Sequence, residues 1–230
     1  MSGKHIFLDP RLSMIAAMIG ICECCADIGC DHGRLDAFLL QSGQCQRAQL
    51  TEISEPSLEK AKRLISLLGL SGRVTFCVGD GAAALAGPAD VAVIAGMGGG
   101  TIARIIRAGR EKLGAARLIL QPNVGAPELR SALCACGYRI TNECVARDGR
   151  RNYVIIEARP GGASYSEREL IVGPVLLQKL PKELRPYAEF RLRVARKALQ
   201  GAQAAEDAAQ ADALRREAGI WEEVCEWLRK

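Results

Sequence analysis

The 230-residue sequence predicts an α/β fold: a doubly wound, mostly parallel sheet that ends in an antiparallel hairpin, followed by a small α-helical, coiled-coil-like domain. Three observations carry this expectation. Short apolar runs alternate with helical patterns as far as residue 136, the order that builds strand–helix–strand units. Two more strand-like runs then follow with no helix between them. From Glu167 onward, apolar residues recur at helical and near-heptad spacing.

The opening helix starts at Asp9-Pro10, a capping residue followed by the one suited to the first helical position. Leu12, Ile15, Ala16 and Ile19 then repeat on one face. Strands are expected over 24–28, 48–52, 74–78, 91–95 and 118–120, with helices over 35–41, 57–68, 101–113 and 127–136. Pro56 and Pro127 stand near helix starts, Gly69 and Gly137 where helices stop. The last strands, 139–145 and 153–157, are joined only by "ARDGRRN", whose Asp148-Gly149 pair signals a hairpin. "RPGGAS", residues 159–164, reads as a linker between a domain of residues 1–160 and a helical domain of residues 164–230. In the latter, Leu184, Tyr187, Phe190 and Val194 form one stripe. Leu214, Ala218, Trp221, Cys225 and Leu228 form another, which predicts a helical hairpin joined near Gly201. The alanine-rich "AQAAEDAAQADA" between the stripes is a strong helix former.

Composition bounds the function. With 49% apolar and 25% charged residues the chain is an ordinary globular protein, and a net charge of +5 biases it mildly toward polyanions. Ten cysteines in so core-rich a chain read as reduced thiols, hence a cytoplasmic protein. Cys22 and Cys25 form one C-x-x-C, but with no second pair and only His5 and His32 a closed zinc site is not expected. "LSMIAAMIGIC" after Lys4 and Arg11 imitates a signal peptide, yet reads better as the opening helix. No apolar run reaches the roughly 20 residues that span a bilayer, so no membrane partner is expected. Nothing in the chain points to an obligate protein partner.

The chemistry concentrates at the ends of the strands. "CCADIGCDHGRLDAF", residues 24–38, is a strand feeding a glycine-rich loop and a helix. In a doubly wound sheet that edge is where ligands bind. Gly29 lets backbone approach a ligand, and Asp27 either sets the loop or reaches the ligand's amino group. Glu52 ends the second strand about twenty residues on, where a carboxylate accepts ribose hydroxyls. Asp80, in "VGDG", follows the third strand, positioned for an adenine amine or else as a helix cap. "AGMGGG", residues 95–100, ends the fourth strand, as a glycine-rich floor for a planar base or a flexible turn. Glu52 alone suits NAD equally. Asp80 and the closing hairpin favour S-adenosylmethionine.

"ADIGCDHGRL", "GDG", "IAGMGGGTIARII" and "RLILQPNVGAPELR" resemble, in order and spacing, the bacterial tRNA adenine-N1 methyltransferase family that modifies position 22. The resemblance runs from about Leu8 to Glu157. It departs at Gly33-Arg34, where the family has alanine and tyrosine, and at Thr51, where a glycine is usual. It implies a Rossmann-like class I catalytic domain and a C-terminal helical domain that docks tRNA. The cofactor-binding set is then Asp27, Gly29, Cys30, Glu52, Ile53, Asp80, Gly81, Ala95, Gly96 and Met97, and the cofactor S-adenosyl-L-methionine.

Adenine N1 is already unprotonated at neutral pH, so methyl transfer needs alignment and a negative group near the forming cation more than a strong base. The expected catalytic residues are Asp31, His32 and Asn123. Asp31 orients the target base or stabilises its cationic product. His32 either hydrogen-bonds there or orders the loop. Asn123 either reads the base edge or caps the next helix. Tyr153 stacks on a base or is a plain strand residue. With 4% aromatics, RNA affinity rests on charge: Arg104, Arg107, Arg150, Arg151, Arg193, Arg196 and Lys197 are the expected contacts. The alternatives are a class I methyltransferase for another RNA or a small molecule, or a non-catalytic cofactor- and RNA-binding protein.

Overall fold

The computed structural model describes residues 5–149 and 151–229. The chain divides into two compact units, residues 1–164 and 165–230.

The first unit holds one seven-stranded sheet. Its strands are β1 (Cys22–Ile28), β2 (Cys45–Glu52), β3 (Val74–Val78), β4 (Val91–Met97), β5 (Arg117–Pro122), β6 (Tyr138–Asp148) and β7 (Arg151–Pro160). The order is β3-β2-β1-β4-β5-β7-β6. Strands β1 to β5 run parallel, while β7 runs antiparallel to both β5 and β6. The expected mostly parallel sheet with a closing hairpin is therefore present, and its hairpin strands are longer than the sequence pattern suggested. The chain winds outward from β1 to β3 and then returns to β4 on the other side of β1. That reversal opens the carboxyl edge between β1 and β4.

Helices cover the sheet because each buries one apolar stripe. Helix α1 (Pro10–Ile19) is capped by the Asp9 carboxylate, which accepts the Leu12 N–H at 2.7 Å. Its Ile15, Ala16 and Ile19 pack with Cys25, Leu35, Leu39, Val91, Val93, Ile119 and Ile155. Arg117 of β5 donates to the Met18 and Ile19 carbonyls at 2.7 and 2.5 Å, closing the other end of α1. Helices α2 (Arg34–Gln41) and α3 (Glu55–Leu67) bury Ala37, Leu40, Leu58, Ala61 and Ile65 against Ala48 and Leu50 of β2. The single helix expected over 101–113 is two, α4 (Gly99–Ala108) and α5 (Arg110–Leu113), broken at Gly109. Helix α6 (Ala126–Ala135) is fixed to β6 by a fully buried Arg130–Glu143 pair at 2.8 Å.

The second unit adds two short helices that the sequence reading did not separate, α7 (Glu167–Val172) and α8 (Pro174–Lys179), before α9 (Leu184–Ala204) and α10 (Ala208–Trp227). Helix α9 runs straight through Gly201, so the hairpin does not turn there. It turns inside the alanine-rich stretch instead, where Glu206 takes a left-handed φ of 55° and the Asp207 carboxylate caps α10 by accepting from Gln210. An Asx cap outcompetes helix continuation at that point. The α9 stripe is also corrected: Val194 is 43% exposed, while Ala188, Ala195 and Ala202 are buried. Tyr187 meets Trp221 edge-on at 5.7 Å.

Glycine at 99 is a packing requirement, since its added Cβ would overlap the Gly125 carbonyl oxygen where α4 meets the start of α6. Gly99→Ala is expected to lower the unfolding free energy by about 2 kcal/mol. Gly100→Ala, which meets open space, leaves it unchanged or slightly raised. Urea denaturation of the two variants checks this.

Candidate functional site

Five strand ends line the carboxyl edge in the order β3, β2, β1, β4, β5. After β1, the backbone turns sharply at Gly29, whose φ is +80° and whose N–H donates to the Thr51 carbonyl at 2.9 Å. That left-handed φ favours glycine, and a Cβ there would also displace the Met97 methyl at the end of β4. Cys30 is buried beneath the loop. Asp31 follows with a left-handed φ of 49°, a conformation that Asp tolerates better than most residues. Its exposed carboxylate accepts from His32 Nδ1 at 2.6 Å. The Asp31 N–H in turn donates to Glu52 Oε2 at 3.2 Å.

Glu52 ends β2 and accepts two further amides on Oε1, from Ile53 at 3.0 Å and Ser54 at 3.2 Å. Three of a carboxylate's roughly four acceptor positions are thus occupied, and one remains. Ile53 beside it is 69% exposed. Asp80 precedes a short 3-10 turn opened by Gly81, but makes no side-chain cap. Its Oδ2 meets Arg104 Nη1 at 3.0 Å, both side chains being largely exposed. Arg104, expected to contact RNA, is therefore engaged at this edge.

On the other side of the reversal the organising group is a residue the sequence reading missed. Gln121, fully buried at the end of β5, accepts from Arg11 Nη1 at 2.8 Å and from the Gly96 N–H at 3.2 Å. Its amide nitrogen donates to Asn123 Oδ1 at 3.1 Å, and Asn123 Nδ2 donates to the Gly96 carbonyl at 2.7 Å. Ala95 and Gly96 of β4 are thereby held beside Asn123. The helix-cap reading of Asn123 is overturned: the residue that caps α6 is Gly125, and no side chain caps it. The glycine-floor reading fails for Gly99, which is buried by packing, though Gly96 and Gly100 are exposed. Arg11 lies over the Tyr153 ring, 5.7 Å from its centroid.

A second omission is Asp36. It is completely buried on α2, in hydrogen-bond contact with Asp27, which is itself 6% exposed. Burial first, and then the neighbouring Asp27 charge, hold the Asp36 carboxyl well above the usual carboxylate range. Asp27 is pushed up to about 6, chiefly by burial. An acid inside the apolar "LDAFLL" was the one available signal.

The other basic residues scatter. Arg107 and Arg151 are exposed in the first unit, and Arg150 lies outside the described residues. In the second unit Arg196 pairs with Glu222 at 2.6 Å, and Arg191, over the Trp221 ring, with Glu217 at 2.7 Å. Arg193 and Lys197 are exposed there, in no ion pair with a described residue. No group of described residues forms a metal cluster, and no described helix is long and apolar enough to cross a membrane.

Comparison with known proteins matches residues 8–156 to the methyltransferase domain. The Bacillus subtilis tRNA (adenine(22)-N(1))-methyltransferase is 34% identical over 184 residues, 78% of this chain and 77% of its own length. A solved B. subtilis m1A22 tRNA methyltransferase superposes with a TM-score of 0.86 at 27% identity, covering 96% of this chain and 100% of that one. A Streptococcus pneumoniae protein solved with S-adenosyl-L-methionine gives 0.85 at 26% identity, covering 95% and 100%.

Replacing Gln121 by Leu strands the Gly96 amide and the Arg11 guanidinium. The expected loss is about 2 kcal/mol of unfolding free energy, read from chemical denaturation.

Proposed function

The chain belongs to the methyltransferase-domain family, and from that premise we propose that it transfers the methyl group of S-adenosylmethionine to N1 of an adenine in tRNA, at position 22. The observation that carries the reading is the row of carboxylates at or just past three adjacent strand ends, Asp27 on β1, Glu52 on β2 and Asp80 after β3, around a loop that bends through a left-handed Gly29. The residues fit the cofactor. Gly29 admits its methionine end against backbone, and the free acceptor position on Glu52 takes a ribose hydroxyl. Asp80 has a second oxygen for the adenine amine. When bound, S-adenosylmethionine supplies an electrophilic methyl on a sulfonium centre.

The chain then has to align an adenine and tolerate its positive charge. Asp31 is suited to this because its carboxylate faces solvent at the loop tip, fixed by His32 on one side and by its own amide on Glu52 on the other. His32 acts here as the group that orients Asp31. Asn123, held by Gln121 and Gly96, positions the acceptor side, and Met97 closes the floor under the loop. A preorganised negative group beside a forming cation needs no reorganisation at the moment of transfer. Because N1 lies on the pairing edge, the target base must be unpaired or extruded. Exposed Arg107, Arg151, Arg193 and Lys197 supply the phosphate contacts in this reading.

Incubation of unmodified tRNA with S-adenosylmethionine is expected to yield 1-methyladenosine, detected by nucleoside mass spectrometry and mapped to position 22. Absence of any methylated adenosine would sink the proposal. Glu52→Ala should raise the cofactor KM about tenfold for each charge-assisted hydrogen bond lost. The double variant Arg193→Glu, Lys197→Glu should weaken tRNA binding and flatten its salt dependence by about one unit of log–log slope per lost phosphate contact.

A further inference from the structure

We propose that Asp36 is a positioning residue: it carries a proton shared with Asp27, and this proton holds the Asp27 carboxylate beneath the cofactor loop. The proposal rests on the methyltransferase reading for what Asp27 serves, but its basis is local geometry. Asp36 is 0% exposed, and its oxygens find no hydrogen-bond donor in the described chain beyond its own backbone amide. The one side chain in hydrogen-bond contact with it is another carboxyl. Two carboxylates cannot bond to each other without a proton between them, and two buried charges in contact repel strongly. One of the pair is therefore protonated.

The surroundings decide which one. Asp27 feels the Arg11 guanidinium of α1, and no cation ranks among the causes acting on Asp36; Glu52 at the end of β2 and Asp31 in the loop add negative charge to Asp27. Asp36 feels Asp27 and the Cys45 thiol of β2, while the thiols of Cys25 and Cys30 interact with both acids. Burial holds Cys30 above the usual thiol range, and the hydrogen bond that the Cys45 thiol donates to Cys22 does the same for Cys45, so these thiols add no anion at neutral pH. The negative charge therefore belongs on Asp27, facing Arg11, and the O–H belongs to Asp36, donating to Asp27. Asp36 never meets the substrate. It acts through Asp27, which sits two residues before Gly29 at the bend that the cofactor approaches.

This arrangement gives two pH limbs. Below about 6 Asp27 takes up a proton and its charge is lost. On the alkaline side Asp36 loses the shared proton, the pair repels and Asp27 is displaced. Because the folded pKa of Asp36 is raised, its contribution to stability is complete below the unfolded value of about 3.9. That contribution drains as pH rises toward the folded value.

The test is S-adenosylhomocysteine binding by calorimetry between about pH 5 and pH 9, on the unaltered chain, Asp36→Asn and Asp36→Ala. Asn keeps a permanent N–H donor to Asp27 without a titrating proton. Asp36→Asn is therefore expected to retain affinity at pH 7 and to lose the alkaline limb. The ligand's own titration is common to all three proteins and cancels in their ratios. Asp36→Ala should bind at least about tenfold more weakly at pH 7. Infrared spectroscopy should show a protonated-carboxyl band at neutral pH that Asp36→Asn abolishes. Parallel pH profiles in all three, equal weakening by Asn and Ala, or absence of that band overturns the proposal. If the unaltered chain binds no ligand at any pH, the methyltransferase reading has failed and the positioning role falls with it; persistence of the band identifies that failure as one of function.

Discussion

One buried amide holds the site together. Gln121 uses both lone pairs of its carbonyl, for Arg11 and for the Gly96 amide, and one donor for Asn123. It thereby joins α1, β4 and β5 at the edge where the sheet reverses. Because Arg117 anchors the far end of α1, the helix cannot slide, and Arg11 is delivered to a fixed point over Tyr153. The same guanidinium acts on Asp27. Groups proposed to hold the methyl donor and groups proposed to hold the acceptor thus hang from one hydrogen-bonded junction. A shift at Gln121 would be felt by both, which is the coupling that alignment catalysis requires.

A second economy lies at Glu52. Its carboxylate clamps the Asp31 amide and, in the proposed reading, is also the acceptor offered to a ribose, so the loop tip and the ribose position share one side chain. The edge is rich in acid: Asp27, Asp31, Glu52 and Asp80 converge there against Arg11 and Arg104. That bias suits a sulfonium donor and a product that becomes cationic. It is the wrong sign for a phosphate backbone, so the proposed function requires RNA to be gripped away from the reacting edge. The net charge of +5 says nothing of where, because ion pairs already engage Arg104, Arg191 and Arg196.

What the sequence made legible is what obeys short-range rules. Alternation predicted the parallel sheet, Asp148-Gly149 predicted the hairpin, and the carboxylates at strand ends stood out because each interrupts or ends an apolar run. Groups whose role depends on a partner far along the chain did not stand out. Arg11 and Gln121 are 110 residues apart, and nothing in either local pattern announces the other. Gly99 looked like part of a ligand floor because glycines let a planar base come close, whereas its neighbour across the turn, Gly125, is what requires it. In the helical unit, propensity favoured one continuous alanine-rich helix. A single Asx cap at Asp207, costing little and satisfying an orphan amide, moved the turn away from Gly201.

Asp36 marks the boundary of such reading. At the third position of a helix an acid is unremarkable, since it complements the positive end of the helix dipole. That account fails once the side chain is seen to be sealed from water against a second acid. A favourable dipole adds well under the several kcal/mol that burying an uncompensated carboxylate demands. The balance closes only with a proton in the pair, and a proton in the pair makes Asp27 a fixed acceptor rather than one of two repelling charges. The loop that begins two residues later inherits that rigidity. In that proposal the left-handed backbone of Gly29 and Asp31 and the crowded carboxylate of Glu52 rest on a strand end held by a paired, not a repelling, acid.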